Sequence, residues 1–187
     1  MALPRRFPTR TLLHCAVIGA ISALYLLATG PINAVVAVAS PVLYAVTASP
    51  FVLLPFLARR WTAQPGAATL TALFASAVAS LASPIGPLLM VAVVLPCLAV
   101  DLVSARPILG RPRYLPAAAA GALVTFALSM AVITPELLTP TVIVAVLALR
   151  LACYLALMGL AGVVARALVR TGVRPPRPPQ PAASAGA

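Results

Sequence analysis

Two acids, Asp101 and Glu136, and one histidine, His14, are all this sequence holds for proton transfer, and it has no lysine. That inventory supplies neither paired carboxylates, nor a Ser/His/Asp set, nor a two-histidine metal site. The three cysteines, Cys15, Cys97 and Cys153, fall inside apolar runs without metal-ligand spacing. They read as small packing residues. A Walker A lysine is absent as well, so the chain is no ATPase of that kind. We therefore expect no enzyme, no cofactor and no metal, and any uphill transport must draw on an ion gradient or a partner.

What remains is suited to binding. Arg150 lies in the middle of an apolar run, where an unpaired charge is expensive. It sits nine residues past Thr141, roughly 14 Å along a helix. Asp101, counted from Leu88, lies roughly 20 Å deep by the same rise. Those depths predict a pair or a water-bridged contact, whether it stabilises the fold or lines a polar cavity. Thr69, Ser76, Ser80 and Ser83 are spaced seven, four and three apart, which keeps their hydroxyls near one helix face. Such a stripe serves either close helix packing or a ligand. Tyr44, Phe74 and Tyr154 are candidates to stack on a flat ring. Glu136, in an outer turn, completes the candidate ligand set.

The elements that must position these residues are membrane helices. Of 187 residues 63% are hydrophobic and only 8% charged, too few to coat a soluble globule. Spans are expected at about 11–29, 42–57, 66–82, 88–105, 117–133 and 141–165. Gly30-Pro31-Ile32-Asn33 is expected to end the first, with a short apolar outer loop up to Pro41. Pro50 and Pro55 should kink the second, and Trp61 beside Arg59 and Arg60 reads as an interfacial anchor. Spans three and four form a hairpin about Ser83-Pro84-Ile85-Gly86-Pro87. Residues 1–173 form one domain, and the Pro/Ala-rich tail 174–187 is expected to be disordered.

Every arginine except Arg150 lies on one side of this arrangement. By the positive-inside rule that side is the cytoplasm, and both termini lie there. The net charge of +11 is thus a topology signal facing lipid headgroups, and no nucleic acid is expected as a partner. In span one, Ala16-x-x-x-Ala20 and Gly19-x-x-x-Ala23 make a smooth face for another helix.

The hairpin carries a resemblance. Pro65-Gly66-Ala67-Ala68, the turn Ser83 to Pro87 and Asp101 are similar to the YkoE-like group of substrate-binding S-components of energy-coupling factor (ECF) transporters. Arg150-Leu151, Gly159, Leu160, Gly162 and Thr171-Gly172-Val173 match further on, in register from about Leu12 to Val173. The resemblance implies an all-α integral membrane protein of six transmembrane helices, multi-pass in a bacterial cell membrane. It implies capture of a small vitamin or precursor, for this group thiamine or its hydroxymethylpyrimidine moiety. It implies a transmembrane T-component and two cytoplasmic ATPase subunits as partners, with Ala16, Gly19, Ala20 and Ala23 facing the T-component. Relatives of this kind tend to carry a carboxylate around where Ala72 and Ala79 stand here. A cationic thiazolium would gain from that carboxylate, and a neutral pyrimidine would need it less. The alternative is an ion-coupled small-molecule transporter or an accessory subunit of another transporter.

Overall fold

The computed structural model describes residues 8–83, 86–105, 114–131, 133 and 139–172. Among them every regular element is helical, as expected of apolar runs that must satisfy their own backbone groups in lipid. Helix α1 covers Thr9–Ala39 and runs straight through Gly30 and Pro31. The outer loop expected there is helix instead. Pro31 forfeits one backbone hydrogen bond, whereas breaking the helix would unpair the whole apolar stretch to Ala39. The stop comes at Ser40, whose extended backbone and hydroxyl start α2 (Pro41–Thr47) by accepting from Leu43 N. A 3-10 turn, Ser49–Val52, joins α2 to α3 (Leu53–Thr62). Pro50 and Pro55 fall in the first turns of these segments, where a missing N–H costs least. The rod therefore reaches Thr62, beyond the expected end at 57, and stops where Ala63 turns left-handed (φ 51°).

Gly66, at φ 92°, opens α4 (Ala67–Ser80). Then come α5 (Leu88–Ser104), α6 (Tyr114–Met130) and α7 (Pro140–Arg170). Three rods are long and apolar enough to cross a membrane: Thr9–Ala39, Pro41–Thr62 and Pro140–Arg170. The other three, α4, α5 and α6, are shorter apolar helices.

The helices pack through small residues. α4 lies between α1 and α5, α6 between α5 and α7, and α3 against α7 and α4. Alanines 68, 72, 117, 118, 122 and 161 fill the core around Phe56, Tyr154 and Met158. Where lipid tails are as apolar as leucine, close backbone approach and dispersion hold helices together. A Cβ on Gly121 would sit 2.8 Å from Val100 and 3.1 Å from Tyr154, so only glycine allows α6 to seat there. Leu13, Leu24, Val35, Val38 and Val144 point outward instead.

Candidate functional site

Two buried polar clusters occupy different ends of the bundle. The first joins the end of α3, the start of α4 and the end of α5. Gly66 has no side chain with which to cap α4. Asp101 of α5 does so across the helix interface, its Oδ2 accepting from Thr69 N and Thr69 Oγ1, both at 2.7 Å. A carboxylate suits that position, where free N–H groups and the helix dipole converge. Its Oδ1 lies 3.2 Å from Arg59 Nε. Arg59 donates from Nε to Ser104 Oγ (3.0 Å) and from Nη2 to the Ser104 carbonyl (3.2 Å). Arg59 and Asp101 are only 3% and 4% exposed.

The second cluster lies toward the opposite end. α7 turns Val146, Arg150, Tyr154 and Met158 inward at four-residue intervals, one helix face. Arg150, 1% exposed, donates from Nη2 to Ser129 Oγ at 2.8 Å, one residue before the end of α6. The Ser129 hydroxyl donates to the Thr125 carbonyl, leaving a lone pair for the guanidinium. The guanidinium also lies 5.3 Å from the centroid of the Tyr44 ring on α2, a cation–π contact. Tyr154 hydrogen-bonds Thr125 and packs edge-on against Phe56 at 5.6 Å. Yet Nε and Nη1 of Arg150 meet no acceptor among the described residues. Acceptors for these two donors would have to come from outside the described residues.

The expected Asp101–Arg150 pair does not form. Asp101 is taken by Arg59 and the α4 N-terminus, and Arg150 by Ser129 and Tyr44. Depth along a helix is one coordinate of three, and it says nothing of which neighbour flanks each face. The hydroxyl stripe also disperses. Thr69 serves Asp101, while Ser76 and Ser80 donate back to the carbonyls of Leu73 and Ala77. Phe74 is 38% exposed and its Cβ abuts the backbone of Gly19 on α1, away from Arg150. Of the candidate ligand residues, Tyr44, Arg150 and Tyr154 come together, and Glu136 lies outside the described residues. The small-residue face of α1 divides too. Gly19 and Ala23 are buried, Gly19 directly on α4, while Ala16 is half-buried and Ala20 exposed.

Four participants escaped the sequence reading: Arg59, Ser104, Thr125 and Ser129. Arg59 was expected as a membrane-edge charge. Nothing in the spacing of Arg59 and Arg60 separates the buried one from the one at the surface. Asp101 and Ser104, three apart, and Thr125 and Ser129, four apart, each share a helix face.

These features define a helical membrane protein whose interior holds a cation, Arg150, unmatched by any described carboxylate. A solved structure described as "Crystal structure of an S-component of ECF transporter" superposes on it with a TM-score of 0.77. The match covers 90% of this chain and 88% of that one at 23% sequence identity, which makes it a likeness of fold. No protein-family model and no curated protein matches the sequence.

Proposed function

We propose that this chain is the substrate-capture component of an ECF-type transporter, a six-span protein of a bacterial membrane with both termini in the cytoplasm. The likeness of fold over nine-tenths of the chain supports the class. The arginine-rich end supports the orientation: α3, α5 and α7 finish there, and α1, α4 and α6 begin there. Energy would come from a T-component and two ATPase subunits, since this chain holds no lysine for a nucleotide loop.

The observation that carries the ligand reading is Arg150, buried with Nε and Nη1 free between Tyr44 and Ser129. Such a group repels a cation and rewards a lone pair. It favours the hydroxymethylpyrimidine moiety, with neutral ring nitrogens as acceptors, over intact thiamine with its thiazolium charge. Tyr44 and Tyr154 supply aromatic surface for a flat ring.

Titration calorimetry on the purified protein tests the ligand. Hydroxymethylpyrimidine should bind more tightly than thiamine, and Arg150→Met should weaken it at least tenfold, the scale of one charge-assisted hydrogen bond at about 1.5–3 kcal/mol. Equal binding by the variant would remove Arg150 from the site. Uptake in cells tests the role: it should require co-expressed T-component and ATPases. Uptake by the chain alone, abolished by an uncoupler, would make it an ion-coupled transporter instead.

A further inference from the structure

The arginine-rich end holds a recess of about 430 Å³ between the C-terminal ends of α3 and α7 and the first residue of α6. Arg60, Arg166 and Arg170 line it, with Trp61 and Tyr114. We propose that it binds the phosphate of an anionic phospholipid headgroup.

Charge is the first argument. Three arginines line one recess with no carboxylate among the described residues to neutralise them, since Asp101 is committed to Arg59. Arg166 and Arg170 are four apart on α7, a like-charge spacing that opposes helix stability unless an anion lies between them. Guanidinium forks match phosphate oxygens in geometry as well as sign.

Pre-positioning is the second argument. The Arg60 guanidinium lies 4.0 Å from the centroid of the Tyr114 ring. It also lies directly over Gly162, where any Cβ would collide with it. Glycine at 162 thus opens a bed on α7 that holds Arg60 across the recess. Trp61 is 9% exposed, and its indole Nε1 has no acceptor among the described residues. That leaves a further N–H donor beside the arginines.

The third argument separates a lipid from free phosphate. Exposed apolar side chains lie on the recess or next to its lining: Val169 on the lining, Val163 beside Gly162 on α7, and Leu115 beside Tyr114, all 51–67% exposed. A free anion has no use for them, whereas acyl chains would lie along them. Basic recesses between membrane helices, edged by Trp and Tyr, suit headgroups at this depth.

Native mass spectrometry of the protein released from phosphatidylglycerol or phosphatidylcholine nanodiscs tests this. Phosphatidylglycerol should be retained and phosphatidylcholine lost. Arg166→Gln and Arg170→Gln, both at exposed positions that folding does not depend on, should each cut retention roughly fivefold. Arg10→Gln, outside the recess, should not. Equal retention of both lipids, or unchanged retention in the Arg166→Gln, Arg170→Gln double variant, would overturn the proposal. So would full displacement of the lipid by millimolar inorganic phosphate, which would mark a site for the free anion.

Discussion

Arg59 and Arg150 are both buried in one bundle, and the chain treats them oppositely. Arg59 meets a carboxylate, a hydroxyl and a carbonyl, all supplied by α5. Arg150 meets one hydroxyl and the face of an aromatic ring. The first arrangement ties three helices together and gives the cation a carboxylate, though Arg59 Nη1 also finds no acceptor among the described residues. The second has no carboxylate and leaves two donors without an acceptor among the described residues, in surroundings where an unused donor is costly. On the proposed function, a guest supplies what Arg150 lacks.

The contrast can be broken by mutation, and the largest effect should come at the Arg59 cluster. Asp101→Ala removes the counter-charge of Arg59 and the cap of α4 together. Loss of one partner from a buried pair costs about 3–5 kcal/mol, so the detergent melting temperature should fall sharply. The Arg59→Met, Asp101→Ala double variant should recover part of the loss, because no charge is left unpaired. Strictly additive losses would show that the two side chains do not depend on each other.

At the other cluster the sign should reverse. Arg150→Met exchanges an incompletely paired cation for an apolar side chain of similar length. That removes the desolvation cost of the buried charge, so melting should hold or rise while ligand affinity falls. A marked drop in melting temperature would mean that Arg150 is a structural residue like Arg59.

A smaller effect sharpens the same distinction along α1. Gly19→Ala places a Cβ 2.8 Å from Phe74 Cβ on α4, and overpacking of that kind costs about 1–3 kcal/mol. Ala20→Trp, on the exposed face, should leave melting within about 0.5 kcal/mol of the parent. Recovery of the assembled transporter should nonetheless fall, if Ala16 and Ala20 are what α1 offers a partner. Intact recovery with Ala16→Trp and Ala20→Trp combined would remove that role.

Composition alone established the solvent of this protein. Long apolar runs with few charges admit only self-satisfied helices, and the gathering of arginines at one end follows from the same energetics. Tyr44, Arg150 and Tyr154 stood out as candidates too, because polar or aromatic groups on apolar runs are few and conspicuous. Partner choice was not legible. Asp101 and Arg150 carry opposite charge at similar depth, and nothing in their spacing tells that α4 begins beside Asp101 with an uncapped N-terminus. Nor does spacing tell that α6 ends beside Arg150 with Ser129 turned toward it. Pro31 reads as a stop in one dimension, but an apolar surrounding makes one lost hydrogen bond cheaper than a loop. Local sequence thus determined which groups needed partners, and tertiary structure decided which partners they found, because each choice depends on neighbours brought together only by helix packing.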